Sequence, residues 1–181
     1  MKDTGVYLQN YYRLIERVDR HCEGIQQQYG RLMQCRKGCS TCCSHISVFP
    51  VEAAVMMDAI MRLPKTVLAD LGKPDGIQSV ACPLLSENKC LIYPARPLIC
   101  RTHGLPLLTV ESDNPIISCC PQNFQNMSPI PSQAMIDLES LNQILIAINT
   151  VFLKEWSEKS WPTDRIQIAK IIQRARSSFE K

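Results

Sequence analysis

Cys35-Arg36-Lys37-Gly38-Cys39-Ser40-Thr41-Cys42-Cys43 places four thiols within nine residues. Such close spacing lets several sulfurs reach one centre with little loop-closure penalty. Gly38 permits the tight backbone turn that this convergence needs. Downstream come Cys82-Pro83-Leu84-Leu85, then Cys90-Leu91-Ile92-Tyr93, then Cys100-Arg101, and finally Cys119-Cys120-Pro121. Nine of the ten cysteines therefore lie between Cys35 and Cys120, and only Cys22 falls outside. A disulfide scaffold requires an oxidising compartment. The stretch Met1–Asn10 is polar and amphipathic and reads as no export signal. A chain of 181 residues also buries enough surface to have less need of staples. The reading is a cytoplasmic protein whose clustered thiols bind metal.

Thiolate donors suit soft or borderline ions, meaning zinc or iron–sulfur clusters; calcium and magnesium require oxygen cages. A zinc ribbon would carry two Cys-x-x-Cys knuckles, whereas this chain has one, Cys39 with Cys42. The compact C-x3-C-x2-C run is closer to iron–sulfur ligation, where neighbouring cysteines take separate irons. Adjacent Cys42 and Cys43 also fit a multinuclear centre. The expected cofactor is an iron–sulfur cluster, [4Fe–4S] foremost, or Zn2+.

The flanks read as helices. Tyr7, Tyr11, Leu14, Val18, Cys22, Ile25 and Tyr29 recur at steps of three and four, predicting one helix over residues 1–34 that ends at Gly30 or Gly38. Cys22 belongs to that apolar stripe as a small buried hydrophobe. His21 reads as a helix-surface residue. A second helix spans Pro50 to Leu63 and stops at Pro64; a short one runs from Thr66 to Leu71. From Gly72 to Pro131 the chain holds nine of its twelve prolines and five cysteines. Proline removes a donor and restrains its predecessor, so long helices cannot form there. A structureless stretch this long needs something to hold it, and bound metal supplies the hold. Short strands are expected at Leu105–Val110 and Ile116–Ser118. Helical periodicity returns over Ser132–Ser157, with Ser132 as N-cap, and over Thr163–Phe179. The predicted fold class is mainly α. It is a small helical framework around an irregular Cys-rich metal-binding core, with few or no strands. Residues 1–181 are read as a single domain, divided into an N-terminal helix (1–34), a cysteine region (35–120) and C-terminal helices (132–181).

The order C-x3-C-x2-C-C, C-P-x-L, then C-x-I-Y-x-x-R-P-x-x-C-R resembles the YkgJ-type cysteine-cluster family of zinc- or iron-chelating domains. The matching stretches here are CRKGCSTCC (35–43), CPLL (82–85) and CLIYPARPLICR (90–101). The resemblance covers roughly residues 35–120. It implies metal ligands at Cys35, Cys39, Cys42, Cys43, Cys82, Cys90 and Cys100, with an eighth at Cys119 or Cys120. Ser40 stands where the family usually has glycine. The flagellin lysine N-methylases are similar in their cysteine pattern, which implies a methyl-transfer relative as an alternative.

Tyr93, Arg96 and Arg101 have a rationale of their own. Four thiolates around Zn2+ or a [4Fe–4S]2+ core leave net negative charge in a poorly solvated place, and guanidinium groups supply donors that never deprotonate. Arg96 and Arg101 flank Cys100 and are expected to donate around the centre; Pro97 restricts Arg96 to an extended conformation. His45 and His103 read either as ligands or as turn caps, and the thiolates already outnumber the need.

C-x3-C-x2-C also occurs in radical S-adenosylmethionine enzymes, but those need repeated strand–helix units that this pattern lacks. Thr41 stands where an aromatic residue is often found there. Thioredoxin-like chemistry at Cys39 and Cys42 needs a preceding βαβ unit, whereas a long helix comes first. The formal charge of +3 is too small to imply a nucleic-acid partner, and no apolar run is long enough to span a membrane. Three functions follow: a cluster or metal protein with electron-transfer, redox or metal-handling roles; a lysine methyltransferase-like enzyme; or a structural zinc module binding a protein partner. Whether the chain is an enzyme stays open at this point.

Overall fold

The computed structural model describes residues 5–36, 38–71, 81–156 and 162–179. The first helix, α1 (Gly5–Tyr29), follows the predicted stripe and ends at a 3₁₀ turn, Gly30–Leu32. Tyr11, Leu14 and Val18 from α1 are buried with Val51, Leu98, Leu145 and Phe152. Those partners come from α2 (Pro50–Met61), α4 (Leu98–Thr102) and α5 (Leu138–Glu155). Pro50 opens α2, where its missing N–H costs nothing.

A second apolar cluster joins α2 and the short α3 (Lys65–Asp70) to α6 (Ile168–Phe179) through Met56, Ile60, Leu68, Ile168, Ile171 and Ile172. Leu84 and Ile92, from the cysteine region, are buried in the same cluster. The cysteine region is thus anchored to the framework by leucine and isoleucine as well as by its thiols.

The architecture is mainly α, as predicted, with an irregular cysteine-bearing middle. The strands are short. β1 (Ser47–Val48) pairs antiparallel with β7 (Ile166–Gln167). β2 (Leu85–Ser86) and β3 (Lys89–Cys90) form a hairpin. β4 (Leu107–Glu111) pairs antiparallel with β5 (Asn114–Ser118) and parallel with β6 (Ile136–Asp137). Both hairpins turn through two residues of positive φ, Glu87 (48°) with Asn88 (60°), and Ser112 (47°) with Asp113 (65°). That geometry is the tight turn matching strand twist, and neither turn uses glycine.

Three boundaries differ from expectation. Ser132 does not cap α5: it opens a 3₁₀ turn (Ser132–Ala134), and Ile136 donates its N–H to the Pro106 carbonyl at 2.8 Å. The cap is Asp137, whose carboxylate accepts from Ser140 N at 2.9 Å and from Ser140 Oγ at 2.6 Å. The final helix starts at Ile168 and not at Thr163, because residues 166–167 are extended against β1. Between Gly72 and Pro131, α4 and the β2–β3 hairpin replace part of the expected irregular chain, while β4 and β5 stand where short strands were expected; residues 72–80 lie outside the described residues. Ser157, at the end of the helix expected over Ser132–Ser157, also lies outside them.

Candidate metal centre

Four stretches of chain bring Cys43, Cys82, Cys90 and Cys100 together. Cys43 sits in a turn closed by its N–H on the Ser40 carbonyl at 2.9 Å. Cys82 donates its N–H to the Cys43 carbonyl at 3.0 Å, and Ser44 bridges Ala81, so these two segments run side by side. The β2–β3 hairpin then folds Cys90 back, opposite Leu85. Cys100 lies in α4, whose start is held by the buried Glu52 carboxylate accepting from Leu98 N at 2.9 Å. The other Glu52 oxygen accepts from Phe49 N, also at 2.9 Å. One buried side chain on α2 thereby fixes both its own N-terminus and the turn that presents Cys100.

The electrostatics of these thiols report their proximity. Burial, and then the sulfurs of Cys82, Cys43 and Cys90, push the Cys100 thiol up to about 12. Burial raises Cys43 as well, followed by Cys82. Burial raises Cys82 and Cys90, but each sulfur also receives a backbone N–H, from Leu84 and Ile92 respectively, which works in the opposite direction. An N–H two residues downstream aimed at a sulfur favours its anionic form. These N–H groups offset only part of the effect of burial, and both thiols stay raised.

Arg96 supplies positive charge to this group, lowering Cys90 and Cys100 against the effect of burial. Its guanidinium lies 3.6 Å from the centre of the exposed Tyr93 ring and donates to the carbonyls of Tyr93 (3.0 Å) and Cys100 (3.2 Å). Arg101 is engaged elsewhere. Its Nη1 meets Asp19 at 2.6 Å, Nε donates to the Arg96 carbonyl at 2.8 Å, and Nη2 donates to the Pro94 carbonyl. These bonds lock α4 and the preceding turn onto α1, a fastening rather than a contact with sulfur.

The remaining cysteines are Cys22, Cys35, Cys39, Cys42, Cys119 and Cys120. Cys35 is raised by burial, with Cys120 and Cys39 acting on it electrostatically. Burial and Cys120 raise Cys119. Cys42 is raised by burial and then by Cys43, with Cys39 also acting on it, and both Cys39 and Cys42 are exposed. Cys22 packs between two apolar clusters, and burial pushes its thiol up to about 11. None of the ten cysteines is disulfide-bonded. Of the histidines, His45 and His103 are exposed; His21 reaches across the chain, its Nε2 lying 3.3 Å from the Met135 carbonyl oxygen.

Among the described residues, no three His, Cys, Asp or Glu side chains already stand at the spacing of a bound ion. The fold supplies neighbouring sulfurs, Cys43, Cys82 and Cys90 all acting on Cys100. The donor chemistry fits a thiolate-bound metal, since the groups acting on these thiols are chiefly one another and Arg96. Residues that the sequence reading missed are Glu52, Gly104 and Asn123. Gly104 has φ +92°, and a Cβ there would lie 3.0 Å from Cys35 Sγ. Asn123 is 3% exposed and donates from Nδ2 to that sulfur at 3.2 Å. Its place in Cys119-Cys120-Pro121-Gln122-Asn123 was the only available signal, and it is a weak one.

No curated protein and no solved structure matches the chain. Residues 34–121 match the model of the CxxCxxCC family, described as a "Putative zinc- or iron-chelating domain". The match begins one residue before Cys35 and ends one after Cys120, so it takes in nine of the ten cysteines. The matched stretch, residues 34–121, holds the motifs in which the sequence resembles the YkgJ-type cysteine-cluster domains.

Proposed function

We propose that the chain is a metal protein whose main centre is a [4Fe–4S] cluster held by Cys43, Cys82, Cys90 and Cys100. The observation carrying this reading is the gathering of four thiols from separate stretches, two of them already receiving backbone N–H groups. Bound there, a cluster supplies one-electron chemistry, which supports an electron-transfer or redox role. The chain's own residues do the rest. Leu84 and Ile92 N–H groups stabilise anionic sulfur, Arg96 offsets the net negative charge, and Leu84 and Ile92 side chains shut water from the inner side. Burial that raises the free thiols also makes bare thiolates costly, so a cation is the natural occupant.

A second reading is a single structural Zn2+ at the same four sulfurs. The β2–β3 hairpin favours it, because a turn presenting two cysteines with N–H groups on their sulfurs also suits tetrahedral zinc. Anaerobic purification followed by metal and acid-labile sulfide analysis separates the two. Iron with sulfide and broad visible absorption supports the cluster. Colourless protein containing zinc supports the structural site, and protein holding neither metal refutes both.

A further inference from the structure

We propose that the outer face of α5 pairs with the same face of a second copy of the chain, the two helices running antiparallel across a twofold axis at Ile146 and Ala147. Leu145, Asn149 and Phe152 are the buried residues of α5. At 3.6 residues per turn, Glu139, Gln143, Ile146, Ala147, Thr150 and Lys154 fall within about 100° of one another on the opposite side, and all six are exposed. Ile144 and Val151 flank this stripe. Ile144, Ile146 and Val151 are 43%, 49% and 42% exposed, and from Ser140 to Leu153 the helix carries no Asp, Glu, Lys or Arg. The solvent face of α1 is different, for it shows Arg13, Glu16, Arg17 and Arg20. Single exposed apolar residues are ordinary. An uncharged helix face with three β-branched side chains is apolar surface that association removes from water.

The charges select the occupant. Glu139 stands in the first turn and Lys154 in the last, about 22 Å apart along the axis. A twofold axis between Ile146 and Ala147 sets Glu139 against the second copy's Lys154, Gln143 against its Thr150, and Ile146 against its Ala147. By symmetry each of these pairs occurs twice. Thr150 Oγ1 donates to the Ile146 carbonyl at 2.8 Å, so its lone pairs remain to accept from a Gln143 amide. Ala147 has no bulk beyond Cβ and lets the helices approach closely. A shallow crossing of about 20° then keeps both ends of the stripe in contact. A parallel pairing would set Glu139 against Glu139 and Lys154 against Lys154. A membrane surface would want a face rich in Lys and Arg, whereas one acid and one base at opposite ends match a second copy. A single helix pair is a small interface, so the association is reversible and falls in the micromolar range. No cysteine lies on α5, so this surface is separate from the metal assignment.

The test is sedimentation velocity on full-length, metal-loaded protein, kept reduced and free of oxygen, from micromolar to millimolar concentration. Wild type should pass from monomer to dimer across that range. Ala147→Glu, which puts two carboxylates at the axis, should stay monomeric with unchanged helical circular dichroism. Glu139→Lys and Lys154→Glu should each weaken the dimer roughly 2- to 30-fold, the worth of two surface ion pairs. The double variant Glu139→Lys/Lys154→Glu should regain wild-type association, a rescue that damage to the fold does not produce. Wild type that is still monomeric at millimolar concentration overturns the proposal. So does a dimer indifferent to Ala147→Glu, which puts the interface elsewhere, and so does a double variant as weak as its single parents, which excludes the antiparallel register.

Discussion

Replacing Glu52 with alanine probes the fastening on which the placement of Cys100 depends. Glu52 is 2% exposed, and its two oxygens each accept one backbone N–H at 2.9 Å, from Phe49 and Leu98. Alanine leaves both donors buried without a partner. Each orphaned donor costs about 1–3 kcal/mol, so the gross loss is about 2–6 kcal/mol. Removing a buried carboxylate returns part of this, because burial raises its pKa above the ordinary 4.5. The expected net loss is about 2–4 kcal/mol. The sign of the pH dependence follows from the same shift. As pH rises from the ordinary value through the raised one, the unfolded chain ionises first, and this group's contribution to wild-type stability declines. The alanine variant lacks that slope, so its deficit is larger at the acidic end of the window than at neutral pH. Urea denaturation followed by helical circular dichroism, at fixed metal loading, reads both effects. A loss below about 0.5 kcal/mol, the range of ordinary surface changes, would refute the claim that Glu52 ties the two elements together.

Phe152→Ala should cost about 3–5 kcal/mol in the same assay, because its ring is buried among Tyr11, Leu145 and Trp156; a loss under about 1 kcal/mol would contradict that packing. Asp137→Ala should cost about 1 kcal/mol as a lost N-cap. The bonds from Ser140 hold the Asp137 carboxyl below its ordinary value. Its contribution is therefore present above the unfolded pKa and lost as pH falls through the folded one, so wild type and variant should converge in acid; a constant gap down to low pH counts against the cap. Cys22→Ser should retain the metal content of wild type by elemental analysis, since Cys22 lies among apolar side chains. Metal lost on that substitution would place Cys22 among the ligands.

The helical framework was largely legible because its signal is periodic. The stripe from Tyr7 to Tyr29 and the apolar face of residues 138–155 are long enough for spacing alone to identify them. The errors arose where tertiary pairing overrides local preference. Ser132 looks like an N-cap, yet Ile136–Asp137 is drawn into an extended pairing with Leu107–Leu108 and shifts the cap five residues on. Residues 166–167 were lost to the helix for the same reason. In the cysteine region, motif spacing marked the thiols but not Gly104 and Asn123 beside Cys35. Those two are a turn glycine and a buried amide whose meaning appears only when distant chain segments meet. Arg96 was read from its position near Cys100 as a donor around the centre, and its guanidinium donates to the Cys100 carbonyl. Arg101 was read the same way, but its partner Asp19 lies far off in sequence and turns it into a clamp on α1.

The most direct measurement is X-ray absorption at the metal edge of protein prepared without exposure to oxygen. The account predicts a first shell made of sulfur alone, at about 2.3 Å for zinc or with a short iron–iron vector added for a cluster. A first shell dominated by nitrogen or oxygen, or folded protein that carries no zinc and no iron, would contradict it.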